Sequence, residues 1–343
     1  MAGSDRHFSR MVSLKTIGVL AVLLLLIATE GNVARSAQPT ASIPGRATAS
    51  SDVLIGNDIF PESVTSRSDG TLFTGSLAGI IYRALPGAPR AAAWIRTAGA
   101  GEGLGIFGVL ADERTRTLWA CSVPNPFAAS VRAARPRTSA VLAFDLDSGR
   151  AKGRYPLPAP GGVCNDIAAA ADGTVYATDT PNGRILALAP HAQRLRVVGQ
   201  DERLKGIDGL AFAGDGTLYV NIVTRGALLR VELRADGTLG AITELALPER
   251  IAGPDGFRPI GGNRFVLAEN QAGRIDEVTI TGNEAAIRVL KSGLDSPPGV
   301  TLVGDEVYAI EGKIEYLIDP KLKGRSPGPF MIRAVGSIAA QGR

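Results

Sequence analysis

The segment NDIAAAADGTVYATD, running from Asn165 to Asp179, decides how the chain is read, because two other segments lie over it without a gap. These are ESVTSRSDGTLFTGS from Glu62 and DGLAFAGDGTLYVNI from Asp208. Each has a polar first residue, a short apolar-tending strand, an Asp-Gly pair and a second β-rich strand. The Asp-Gly pairs at 69–70, 172–173 and 215–216 are tight hairpin signals, since glycine takes positive φ without steric cost. Two weaker copies follow: DGFRPIGGNRFVLAE from Asp255, turning at Gly262-Asn263, and PPGVTLVGDEVYAIE from Pro297, turning at Gly304-Asp305. A sixth, GVLADERTRTLWACS from Gly108, has a longer turn and lacks the Asp-Gly.

Further alternating runs follow most of these hairpins, such as IIYRAL after Gly79 and ALLRVEL after Gly226. Four short strands in about 45 residues, repeated six times, is the signature of a β-propeller. The expected fold is therefore all-β, a six-bladed β-propeller. The unit starts lie 46, 57, 43, 47 and 42 residues apart, and the wide gap holds an insertion at 122–138 rich in Pro, Ala and Arg. Two segments compete for the outer strand of blade six, DVLIGND near the beginning and FMIRAV at 330–335.

Outside the repeats the chain opens with Arg6, Arg10 and Lys15, then an aliphatic run of 13 residues from Ile17 to Thr29, then small residues at Ala34, Ser36 and Ala37. A membrane-spanning helix needs roughly 20 apolar residues, so residues 1–37 read as a secretory signal peptide, with an uncleaved anchor as the alternative. Residues 38–52 read as a disordered leader and 53–343 as a single propeller domain. The expected address is periplasmic or secreted, with no membrane association after cleavage. Of 37 basic and 33 acidic residues, four and two lie in 1–36, leaving the rest at +2. The two signs are interspersed, which excludes the clustered basic face of a nucleic-acid binder. A small-molecule partner and a monomeric state are expected.

In a propeller the inner strands line the channel, so matched positions from all six blades form a ring. That ring reads Glu62, Gly108, Asn165, Asp208, Asp255 and Pro297. Three carboxylates gathered without a counter-charge would repel, and an oxygen-ligated divalent cation relieves this. Ca²⁺ is the expected cofactor; Mg²⁺, Mn²⁺ or Zn²⁺ could substitute, though oxygen-only ligation favours Ca²⁺. Beyond residues 1–36 the sequence holds one histidine, His191, which excludes a histidine-rich metal site. No Gly-x-Ser-x-Gly elbow occurs, and the histidine count argues against a Ser-His-Asp hydrolase.

The motifs FPES, CNDI, IDGLAF and GPDGF, in this order and spacing, resemble the blade entries of the senescence marker protein/gluconolactonase family of calcium-dependent propellers. The resemblance spans most of 53–318 and implies that Glu62, Asn165, Asp208 and Asp255 surround the metal. It further implies metal-assisted hydrolysis of a lactone or ester, with Asp255 as general base or water-positioning residue and Asp166 in reserve. Asp208 stands where the family usually has Asn. Val163 stands where its sugar-acid lactonases place an Arg, so a more apolar lactone or ester is expected. Two other classes remain open: a non-catalytic periplasmic binding or scaffolding propeller with a structural cation, and a metal-free propeller of the strictosidine-synthase-like kind.

Cys121 and Cys164 read either as a disulfide pinning the insertion near the mouth or as two buried thiols, since export permits oxidation. Phe107 and Phe127 read as walls of the mouth or as blade-to-blade packing. His191 reads as a surface residue, and Glu269 and Glu311 as solvated loop acids.

Overall fold

A computed structural model describes residues 52–338, apart from 99, 102, 126, 128–137 and 159–161. The leader at 1–37, most of 38–52, most of the insertion and the last five residues lie outside the described residues. Six four-stranded antiparallel sheets are present, the all-β, six-bladed propeller that the repeats announce. Their inner strands are Pro61–Ser66, Leu104–Asp112, Cys164–Ala169, Ile207–Phe212, Pro254–Gly261 and Gly299–Val303. Among the described residues the helical content is one four-residue helix, Glu315–Ile318, and one 3₁₀ turn, Glu202–Leu204. No described helix is long and apolar enough to cross a membrane.

The hairpins form as the Asp-Gly pairs dictate. Gly70, Gly173 and Gly216 take φ of 93°, 92° and 84°. The preceding aspartates accept from the backbone N–H of Thr71, Thr174 and Thr217 at 2.8, 2.8 and 2.9 Å, a side-chain turn that spares the loop an unpaired amide.

Both candidate strands close the ring. Blade six runs Gly299–Val303, Glu306–Ile310, Phe330–Ser337 and then Val53–Gly56 from the other end of the propeller. Val53 pairs with Ile332 and Leu54 with Met331. The two segments therefore do not compete: one is the third strand and the other the fourth. Unfolding either end breaks this sheet and the seams beside it.

Hydrophobic cores lie between blades rather than within them. Each of six buried clusters joins one pair of neighbouring sheets, so every seam of the ring is held by apolar burial. Aromatic pairs span three of these seams, Tyr176 with Phe212 at 5.2 Å, Tyr219 with Phe265 at 5.4 Å and Phe60 with Phe330 at 4.9 Å. The seam between blades two and three is also covalent: Cys121 and Cys164 form a disulfide, both fully buried. A bridge closing a loop of this length contributes about 2–4 kcal/mol.

Glu269 and Glu311 differ from the reading as solvated acids. Both are buried, Glu269 held by Arg274 and the Ala252 N–H, Glu311 by Arg333 at 2.9 Å. Asp179 is held in the same way by Arg184. An acid at the end of a second strand and an arginine on the third thus latch the turn between them. His191 is exposed, as expected.

Candidate functional site

Each of the first five inner strands carries a β-bulge at the same place. In blade one Pro61 pairs with Ser76 and Val64 with Thr74, so Glu62 and Ser63 together face a single residue. The same slip falls at 107–108, 165–166, 208–209 and 255–256. A bulge leaves backbone groups unpaired and re-aims side chains. Here the freed groups are taken up by side chains that bridge blades. Thr178 Oγ1 accepts from the Asp166 N–H at 2.9 Å and donates to the Asp208 carbonyl at 2.8 Å. Asn221 accepts from the Gly209 N–H at 3.1 Å and donates to the Asp255 carbonyl at 2.5 Å. The backbones come so close that a Cβ on Gly209 would lie 2.5 Å from the Asp255 carbonyl oxygen. Glycine at that point is a requirement of the ring and not of a turn.

The bulges also correct the ring. Its first position in blade two is Phe107, not Gly108, because 107–108 is the bulged pair. In blade six it is Pro298, not Pro297: Gly256 approaches the Pro298 carbonyl as Gly209 approaches that of Asp255. The ring reads Glu62, Phe107, Asn165, Asp208, Asp255 and Pro298, and all six line one cavity. Sequence reasoning missed Phe107 and Pro298 as ring members because the hairpin is one residue longer in blade two and one residue shorter in blade six than in blade one, so matching the second strands lands one place off on the first.

At the floor of this cavity Asn165 Nδ2 donates to Asp208 Oδ2 at 2.9 Å and to Thr180 Oγ1 at 3.1 Å. That leaves its carbonyl oxygen as the end available to the cavity. Asn270 Nδ2 reaches Asp255 Oδ2 at 3.4 Å. Burial pushes the Glu62 carboxyl well above the usual carboxylate range, and the charges of Asp208 and Asp166 add to this. Burial, then the charges of Asp208, Glu62 and Asp166, push Asp255 up in the same way. Asp208 is pushed up to about 8 by burial and the charge of Asp166, against hydrogen bonds from Asp255 and Asn165.

Asp166, the reserve candidate, stands behind the ring. It is buried, and its carboxylate takes both ends of the Arg258 guanidinium, at 2.6 and 2.9 Å, along with the Ile167 N–H at 2.9 Å. Arg258 comes from blade five, so it crosses the channel to reach blade three. It also donates to the Phe257 carbonyl at 2.9 Å and approaches Ser63 Oγ of blade one at 3.5 Å. Committed to this pair, Asp166 is unavailable as a base. The sequence did carry a signal for Arg258: the matching positions in blades one to four are Thr65, Leu110, Ala168 and Ala211. An arginine in that company was worth singling out.

Four carboxyls, Glu62, Asp166, Asp208 and Asp255, thus share one buried guanidinium, which is spoken for. The donor set is oxygen throughout and its charge is uncompensated, which fits a hard divalent cation. Among the described residues, however, no group of three His, Cys, Asp or Glu side chains is arranged to hold a metal unaided. A cation held here would have to draw on the Asn165 amide oxygen and on solvent or substrate oxygens as well.

A pH dependence follows. In cation-free protein Asp208 keeps its proton to about pH 8, whereas the unfolded chain releases it near pH 4. Between those values the folded state binds more protons, so stability falls as pH rises. The melting temperature in EDTA is expected to drop steadily from pH 5 to pH 8.5, and added Ca²⁺ to raise it most at the alkaline end. A melting temperature that is level or rising in EDTA across this window contradicts the assignment.

Above the floor the walls are apolar, with Leu77, Phe107, Phe127, Val163, Val223 and Ile314 among the lining residues. Phe107 and Phe127 are therefore walls of the mouth, the first of the two sequence readings, and Phe107 also packs against the cluster between blades two and three, which is the second. The space within and in front of the mouth, open solvent included, amounts to about 950 Å³.

Comparison with known proteins adds a partial family match and a set of fold likenesses. Residues 52–84 match the N-terminal part of the strictosidine synthase-like family. No curated protein matches the chain. Among solved structures, a gluconolactonase from Xanthomonas campestris is 16% identical at a TM-score of 0.56, over 81% of this chain and 87% of that one. A virginiamycin B lyase from Staphylococcus aureus, solved with quinupristin, is 16% identical at 0.55, over 80% of each chain. A PQQ-bound aldose sugar dehydrogenase from Streptomyces coelicolor is 14% identical at 0.57, over 82% of this chain and 96% of that one. A hydrolase, a lyase and a dehydrogenase share this architecture, so these likenesses establish the propeller fold and leave the chemistry to the residues of the ring.

Proposed function

We propose that this chain is a metal-dependent hydrolase of a lactone or ester, with Ca²⁺ the preferred cation and Glu62, Asn165, Asp208 and Asp255 its protein ligands. The observation that carries the reading is the uncompensated acidic floor of an otherwise apolar cavity, four blades each supplying one oxygen-bearing side chain. Fold likeness to a gluconolactonase supports the same reading. Bound there, the cation supplies positive charge to a substrate carbonyl oxygen as negative charge develops on it. Asp255 is the residue assigned to orient the attacking water and take its proton. Asn270, at 3.4 Å, fixes the direction in which its Oδ2 points. The Cys121–Cys164 disulfide supports an oxidising, periplasmic or secreted setting.

The match at 52–84 favours a second reading, a metal-free propeller of the strictosidine synthase-like kind, in which the raised carboxyls stay protonated. One experiment separates the two. Purified protein is assayed against lactones and aryl esters after exhaustive EDTA treatment and again with Ca²⁺ restored. Turnover is expected to vanish with EDTA and return with Ca²⁺; hydrolysis that survives complete metal removal overturns the proposal.

A further inference from the structure

We infer that the substrate of this site is neutral and carries a sizeable apolar arm, and is not a polyhydroxylated sugar lactone. The inference rests on the hydrolase reading for the bond that is broken, but not for the shape and polarity of what binds. Five of the six blades contribute apolar side chains to the cavity wall: Leu77, Phe107 with Phe127, Val163, Val223, and Ile314. The polar lining above the acidic floor is confined to Thr180, Asn270 and Gln271 among the described residues. Two of these three are already partly engaged. Thr180 accepts from Asn165 at 3.1 Å, and Asn270 donates to Asp255 and to the Ser296 carbonyl, both at 3.4 Å.

A sugar lactone would bring several hydroxyls into this space and find few side-chain partners among the described residues above the floor: Gln271, the Thr180 O–H and the Asn270 amide oxygen. Each hydroxyl buried without a partner weakens binding by roughly tenfold. An alkyl or aryl arm behaves oppositely, since each methylene buried against Phe, Val, Leu and Ile tightens binding about fourfold. Charge points the same way. The three carboxyls of the ring, Glu62, Asp208 and Asp255, already match or exceed the charge of a divalent cation held among them, and the Arg258 guanidinium is bonded to Asp166, so an anionic arm gains no free positive partner. A small ester or lactone carbonyl faces the floor and the apolar arm fills the vestibule towards the mouth. Discrimination of this kind comes from differential burial and not from a dedicated recognition group.

The test separates binding from turnover. Dissociation constants are measured by calorimetry, with Ca²⁺ present, for lactams carrying alkyl chains of zero to eight carbons and for the lactam analogue of a sugar lactone. The matching lactones are then assayed for hydrolysis. Affinity is expected to rise about fourfold per methylene over the first four carbons, with no measurable binding of the sugar lactam. Phe107→Ser and, separately, Val223→Ser are expected to flatten the rise with chain length. An affinity independent of chain length, or tighter binding of the sugar lactam, overturns the inference. If the alkyl lactams show the expected slope and no lactone is hydrolysed, the apolar class stands and the hydrolase reading falls. If the sugar lactone is turned over while chain length has no effect on binding, the reverse holds.

Discussion

An Asp255→Asn variant is expected to lose two to three orders of magnitude in kcat on the best ester or lactone substrate, and to melt at a higher temperature than the wild type in EDTA. The two effects have one origin. Asp255 is pushed up by burial and by the charges of Asp208, Glu62 and Asp166, so the carboxylate form strains the fold. Asparagine keeps the shape and can still accept from Asn270, but it carries no charge and takes up no proton. Loss of a positioned general base costs roughly 10²–10⁴-fold, while removal of one of several crowded carboxylates relieves repulsion in the cation-free protein. Steady-state kinetics with saturating Ca²⁺ and thermal melts with EDTA read the two effects separately. Wild-type turnover counts against the assigned role. Lost turnover with a lowered melting temperature in EDTA shows instead that Asp255 is chiefly structural.

The second large effect is expected at Arg258, which the ring itself does not include. Arg258→Met removes the guanidinium that meets both oxygens of Asp166 and leaves that carboxylate buried with the ring at its back. Breaking a buried pair from one side costs about 3–5 kcal/mol, because the surviving charge loses its partner without regaining water. Urea denaturation is expected to show a midpoint lowered accordingly, with an unchanged slope. Adding Asp166→Asn to the same chain removes the stranded charge and is expected to recover most of the loss, since the Ile167 N–H can still be accepted by the amide oxygen. A single variant within about 1 kcal/mol of the wild type places the pair in the range of exposed ion pairs and contradicts its burial.

Much of this site was legible before any coordinates, for a reason that can be stated residue by residue. Glu62, Asn165, Asp208 and Asp255 were found because the propeller repeats, and a repeat brings equal positions to equal places around an axis. The acid–arginine latches at 179–184 and 269–274 join partners five residues apart across one turn, yet Glu269 reads in the sequence as a solvated acid, because spacing alone does not show burial. The matching pair of Glu311 and Arg333 was not legible: 22 residues separate them, and only strand pairing in blade six brings them together.

Local sequence therefore determined the hairpins, the blade count and the four polar members of the ring. Asp-Gly turns and alternating strands are short-range properties, and repetition carries them round the circle. Tertiary structure alone decided the rest. Hairpins one residue longer in blade two and one residue shorter in blade six stepped the ring from Gly108 to Phe107 and from Pro297 to Pro298, which only the strand pairing reveals. It sent Arg258 across the channel to Asp166, a pairing 92 residues apart that no local pattern encodes. It also assigned both terminal strands to one blade, since a closed ring has room for each. The segment from Asn165 to Asp179, read first as a repeat unit, proved in addition to hold the disulfide-flanked entry, the Thr178 bridge and the carboxylate that Arg258 crosses the channel to meet.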